Sequence, residues 1–189
     1  MKMKKLNNYL FQKRAQKYLS TTDRERRFVS YNQAKTVLLL FESEFSEKNP
    51  IIRKMIFSLQ QDGKKVCAWG FIDKKEVATS ILPDFRILHH KQTDFFEKPL
   101  ESYINELESK EYDLLIDLSL RPILTLQYIA LYANAAFKTG IHNTDLPIYD
   151  FIVDVNNIEV THETEESPVD ELYLFNQIIF YLKSIQSND

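Results

Sequence analysis

Thr36–Phe41 (TVLLLF) is an unbroken apolar run of strand length, the pattern of a strand covered on both sheet faces. Lys65–Ile72 and Tyr112–Leu118 (YDLLIDL) read the same way, the second most clearly of any segment. Residues around 49–62 predict a helix, with Pro50 in its first turn, where a missing N–H costs nothing, and Gln61–Asp62–Gly63 as its stop. Phe85–Leu88 predicts a short strand, and Pro99–Ser109 a helix with Leu100, Tyr103, Ile104 and Leu107 at helical spacing. After Ser119 a helix is expected from Arg121 to Ala136, then a short strand or sharp return at Lys138–Gly140. Aromatic and β-branched content makes Ile148–Val155 a strand. A final helix is predicted over 168–185, with a stripe of Leu172, Phe175, Ile178, Ile179 and Leu182 and with Ser167 or Asp170 near its start.

Strands alternating with helices predict a mostly parallel sheet with helices on both faces and right-handed crossovers. The expected fold is a single Rossmann-like three-layer α/β domain, residues 28–189, preceded by a basic amphipathic arm, residues 1–27. A chain of 189 residues can build such a core without a staple, burying about 70% of its unfolded surface. Within the arm, residues 4–19 predict a helix with Leu6, Leu10 and Tyr18 among its apolar positions, a stripe that Lys13 and Lys17 interrupt. Ser20–Asp23 reads as a break.

Charge changes the picture more than composition does. The net charge is −3, yet residues 1–27 hold nine basic and two acidic side chains, leaving 15 basic and 25 acidic in the remainder. The arm can therefore dock on its own domain or meet an anionic partner. Lys4, Lys5, Lys13, Arg14, Lys17, Arg24, Arg26 and Arg27 are the candidate contacts to a protein, an anionic lipid surface or a nucleic acid. Neither a zinc-finger spacing nor an RNP-like sequence supports the last. The N-terminus lacks the apolar core of a secretory signal, and no window suits a spanning helix, so a cytoplasmic location is the expectation. Cys67, the single cysteine, lies in the apolar run Val66–Trp69 and reads as a small buried hydrophobe.

Three glycines, Gly63, Gly70 and Gly140, are too few for a glycine-dense phosphate loop. Lys138–Thr139–Gly140 lacks the companion residues of a P-loop or of the serine penicillin-recognising enzymes. The main site candidate is the junction Asp117–Leu118–Ser119–Leu120–Arg121, because ligands of open parallel sheets bind beyond the strands' carboxyl ends. There Ser119 and Arg121 can meet an anionic group and Asp117 a hydroxyl or hard cation, and Lys138 can help bind an anion near the sheet. The competing reading is structural: Asp117 and Ser119 satisfy a helix terminus, Arg121 lies in solvent and Lys138 sits at a strand edge. Asp113 and Asp117 lie about 13 Å apart along a strand, too far for a paired-carboxylate mechanism. His89–His90, to which Asp94 and Glu97 could add oxygen ligands, read as surface or turn residues, and neither they nor His142 with Asp145 or His162 with Glu163 match a metal or triad pattern, so no metal, cofactor or catalytic residue is assigned.

The segments YDLLIDLS (112–119), FKTG (137–140) and YDFIVD (149–154), with the basic arm and final helix, resemble an uncharacterised family of Bacteroidota, domain of unknown function 6913, over nearly the whole chain. That resemblance implies no activity. Residues 36–141 also resemble, more weakly, the first Rossmann-like domain of heptosyltransferases, which would put Asp117, Ser119, Arg121 and Gly140 around an acceptor crevice. Phe41–Glu42–Ser43–Glu44 stands where those enzymes carry a glycine–aspartate loop, and their nucleotide-sugar domain has no counterpart here. Three functions follow in order: a non-catalytic macromolecular binding module, a small-molecule domain or glycosyltransferase-related enzyme, and a peripheral membrane protein using the arm.

Overall fold

A computed structural model of the chain describes residues 2–22, 24–43, 50–75, 85–141, 146–154 and 170–185. The elements are α1 (Lys2–Thr21), β1 (Thr36–Glu42), α2 (Pro50–Gln61), β2 (Lys65–Phe71), β3 (Phe85–Leu88), α3 (Glu101–Ser109), β4 (Glu111–Asp117), α4 (Leu124–Tyr132), β5 (Asn134–Gly140), β6 (Phe151–Ile152) and α5 (Glu171–Ser184). The strands form one six-stranded sheet in the order β3-β2-β1-β4-β5-β6, with every neighbouring pair parallel. This is the expected Rossmann-like α/β architecture.

Residues on alternate sides of β1 enter different cores. Val37, Leu39 and Phe41 pack with α2 and α5, whereas Leu38 and Leu40 pack with α3, α4 and α1. The chain moves from β1 to β2 in one direction across the sheet and from β4 to β5 in the other. Crossovers of one hand then require α2 and α4 on opposite faces, where they are found.

Several boundaries differ from expectation. The helix predicted over Arg121–Ala136 is only Leu124–Tyr132, and the strand predicted at 138–140 begins at Asn134. The cause is tertiary: Ala135 lies opposite Tyr112 of β4 and is buried, so these small residues extend the sheet rather than the helix. Ile148–Val155 pairs as a strand only at Phe151–Ile152, although Asp150 N and Val153 N donate to Lys138 O (2.8 Å) and Gly140 O (2.9 Å); Val155 lies outside the described residues. In α5 the buried positions are Leu174, Phe175, Ile178 and Leu182, whereas Leu172 is exposed. Asp170 caps that helix, accepting from Tyr173 N at 2.6 Å, and Ser167 lies outside the described residues.

α4 is buried from Leu124 to Leu131. A helix apolar on every side must be covered on every side, and α1 supplies the outer cover. Of the expected apolar positions Leu6, Leu10 and Tyr18, Tyr18 packs on the domain with Leu19, and the residues α1 buries beside them are Asn7, Phe11 and Ala15. Phe11 stands edge-on to Tyr128 at 4.8 Å, and Tyr18 to Tyr132 at 4.6 Å. Leu6 instead is 48% exposed. Phe11→Ala is expected to lower stability to chemical denaturation by about 3 kcal/mol, and Leu6→Ala by no more than about 0.5 kcal/mol. Equal, small effects would show that α1 does not seal α4.

Candidate functional site

β1 and β4 are neighbours whose following segments leave toward opposite faces, so the crevice expected in open parallel sheets lies beyond their carboxyl ends. The junction after β4 sits there, and its polar side chains have separate fates. Asp117 is 1% exposed: Oδ1 accepts from Ser119 N (2.9 Å) and the Ser119 hydroxyl (2.6 Å), and Oδ2 from the Tyr149 hydroxyl (2.5 Å). Full burial pushes the Tyr149 hydroxyl well above its ordinary range, and the Asp117 carboxylate adds to that, so Tyr149 remains a protonated donor. A Cβ on Gly140 would lie 3.1 Å from the Tyr149 ring and 3.4 Å from Asp117 Cβ, so the absent side chain lets the ring reach this carboxylate. Asp117, Ser119 and Gly140 thus meet, around Tyr149.

Arg121 and Lys138 take no part in that cluster. Arg121 is exposed and forks onto Glu42 at the end of β1, with Nε 3.0 Å from each carboxylate oxygen and Nη2 also bonded to Oε1. Lys138 is 2% exposed and donates from Nζ to Ala130 O (2.6 Å) and Leu131 O (3.1 Å), satisfying carbonyls in the last turn of α4. Burial drives its ammonium well below the ordinary lysine range; Arg24 adds to this, Asp150 opposes it and Arg26 adds a smaller push. Asp113 occupies the other end of β4, accepting from Lys35 N (2.7 Å), Thr36 N (2.9 Å) and the Thr36 hydroxyl (3.0 Å). Partial burial would raise that carboxyl, but these donors outweigh it and hold it below its usual range.

The crevice has a volume of about 340 Å³ and is lined by Arg121 and Glu42 together with Asp73, His90, Glu97 and, from α1, Lys4. Asp73 belonged to no candidate pattern in the sequence, Glu97 stood out only as a possible oxygen ligand beside His89–His90, and Glu42 only within Phe41–Glu42–Ser43–Glu44. His89, expected at the surface or in a turn, opens the short 3-10 turn His90–Gln92 and is buried there, its Nδ1 accepting from Lys91 N at 3.3 Å. His90 Nε2 lies 2.6 Å from Asp73. His142, Asp145, His162 and Glu163 lie outside the described residues, among which no group of three His, Cys, Asp or Glu side chains could hold a metal ion.

The arm's basic residues divide into two sets. Arg14 donates to the Tyr128 hydroxyl (3.3 Å) and lies 3.8 Å from Asp94. Arg24 donates to Ala135 O (2.9 Å) and pairs with Asp150; Arg26 donates to Pro147 O (3.2 Å); Arg27 N donates to Ala136 O (3.2 Å). These contacts tie the chain to the domain. Lys4, Lys5, Lys13 and Lys17 are exposed, as is the Arg27 side chain. Lys13 Nζ sits 4.9 Å from the centre of the Tyr9 ring, which is itself 54% exposed. Among the described residues no helix is long and apolar enough to cross a membrane.

The profile of DUF6913, a family of unknown function, matches residues 7–167, and the chain belongs to that family. No curated protein matches the chain, and neither does any solved structure.

The buried Lys138 has a pH signature. Its folded pKa lies below the unfolded value, so between the two the unfolded chain holds the proton and the folded chain does not, and stability rises with pH. Lys138→Met is expected to remove up to one proton's share of that slope, about 1.4 kcal/mol per pH unit, in denaturant titrations run on the alkaline side of neutrality. An unchanged slope would contradict a lowered pKa for the buried Lys138 amine.

Proposed function

We propose that this DUF6913 protein is a non-catalytic binding module that engages an anionic macromolecular surface through the outward face of α1. The observation that carries the reading is the division of that helix. Phe11 and Ala15 are sealed against the domain, while Lys5, Lys13 and Lys17 recur on the exposed side of a helix without a single Asp or Glu. Lysines four residues apart share a face, so Lys13 and Lys17 form a positive strip continued by Lys5 through the exposed Tyr9. Because α1 is docked, the strip meets a partner without first ordering the helix, which spares the association that entropic cost.

Nucleic acid, acidic protein and anionic membrane share the chemistry this strip recognises. The polar residues after β4 support a small-molecule or glycosyltransferase-type reading less well: Asp117 and Ser119 are bonded to each other and to Tyr149, and Arg121 is bonded to Glu42. The proposed setting is the cytoplasm, a reading that rests on sequence alone.

Heparin serves as a polyanion probe, alongside a single-stranded oligonucleotide and vesicles with and without anionic lipid. The full chain is expected to bind at low salt and to lose about tenfold or more in affinity as salt rises from about 50 to 200 mM. The triple variant Lys5→Glu, Lys13→Glu, Lys17→Glu should abolish binding while keeping its melting transition. Retained binding by a folded triple variant, or no binding by the parent to any probe, would refute the reading.

A further inference from the structure

The crevice beyond β1 and β4 has a chemistry of its own. Glu42 comes from the end of β1, Asp73 from the segment after β2, Glu97 from the segment before α3 and Arg121 from the segment after β4. Four separate segments thus converge where the order of the sheet reverses, the position at which open α/β sheets take ligands.

Charge selects the class of ligand. Among the described residues three carboxylates face two cations, Lys4 and Arg121, and the Arg121 fork is already spent on Glu42. A phosphate would bring up to two more negative charges beside Asp73 and Glu97, and like-charge contacts at this range are costly. Hydroxyl and amine donors meet the opposite reception. A carboxylate has about four acceptor positions; Asp73 meets His90 at 2.6 Å, and Glu97 accepts from Asn7 Nδ2 at 3.0 Å. Gln12 and Gln127 add amides, and Phe11, Phe71 and Leu146 add apolar wall. The volume of about 340 Å³ lies within the range of small-ligand pockets.

Backbone conformation singles out one of these residues. Glu97 has φ 65°, the one left-handed non-glycine residue among those described. That conformation costs on the order of 1 kcal/mol or more and persists only where neighbours over-determine it. Here Glu97 N donates to Asp94 O (3.0 Å), the Thr125 hydroxyl donates to Glu97 O (2.9 Å), and Asn7 holds the carboxylate. These bonds fix a side chain that lines the crevice.

We propose that this crevice binds an uncharged ligand presenting a vicinal diol, with Asp73 and Glu97 accepting from the hydroxyls, and that it rejects the phosphorylated form of the same ligand. A free pentose and a ribonucleoside share that chemistry. The site is independent of the exposed lysine strip on α1.

Titration of the full chain, followed by amide and arginine side-chain NMR signals, uses ribose, adenosine, 2′-deoxyadenosine and adenosine monophosphate as probes. Adenosine is expected to shift Arg121, His90 and Gln127 saturably, with the monophosphate at least about tenfold weaker. Ribose moving the same signals would assign recognition to the sugar alone, and adenosine without ribose to the nucleoside. Asp73→Asn, at an exposed position, should weaken adenosine about tenfold or more and leave the melting transition in place. Equal binding of 2′-deoxyadenosine, equal or tighter binding of the monophosphate, an unaffected Asp73→Asn variant, or no shifts with ribose or adenosine at about 10 mM would overturn the proposal.

Discussion

α4 is a nine-residue helix that the sequence makes apolar on nearly every side, and the rest of the structure is arranged around its need for cover. The sheet shields one side and α3 another. The remainder falls to α1, through Phe11 against Tyr128 and Tyr18 against Tyr132. Burying a large aromatic side chain contributes about 1.5–3 kcal/mol, comparable with a sizeable fraction of a domain's net stability. The docking also decides which of the arm's cations face solvent. Arg14 is drawn to the Tyr128 hydroxyl and Asp94, while the lysines on the far side are left outside. The charge imbalance between arm and domain is thus partly consumed within the molecule and partly displayed.

The two ends of β4 show why polar residues on a buried strand need not signal chemistry. Asp113 collects two backbone N–H groups and a hydroxyl from Lys35 and Thr36, and so fixes the chain as it enters β1. Asp117 collects a backbone N–H and two hydroxyls, and so fixes the turn after β4 to the segment before β6. A buried carboxylate is tolerable when its acceptor sites are filled in this way. Lys138 follows the same logic with opposite sign: two carbonyls from the end of α4 accept from its Nζ, and burial drives its pKa well below the ordinary lysine range.

Periodicity and continuous apolar runs made β1, β2, β4, α2 and α3 legible in the sequence, because each is bounded by turn chemistry or a sharp change of polarity. The α4–β5 boundary was not legible. Ala130, Ala133, Ala135 and Ala136 carry no period, and only the pairing of Asn134–Gly140 with β4 separates strand from helix. The buried face of α1 was obscured in another way. Phe11 and Ala15 give a narrow apolar strip, and Leu6 and Tyr9, apolar by type, lie outside it. Of the expected site, Asp117, Ser119 and Arg121 were legible as polar residues following a strand, but their partners were not. Tyr149 is 32 residues from Asp117, and Glu42 is 79 from Arg121, so no local pattern joins them. The left-handed backbone of Glu97 leaves no sequence signal, since the residues that hold it are Asn7, Asp94 and Thr125.

The claim on which this account turns is that α1 is a docked cover of α4 and not a loose arm. Native-state hydrogen exchange measures this directly, because each amide reports the free energy of the opening that exposes it. The α1 amides between Phe11 and Tyr18 are expected to exchange only through openings as costly as those that release the amides of α4. Exchange of these α1 amides at the rate of an isolated helix, with α4 still protected, would contradict it.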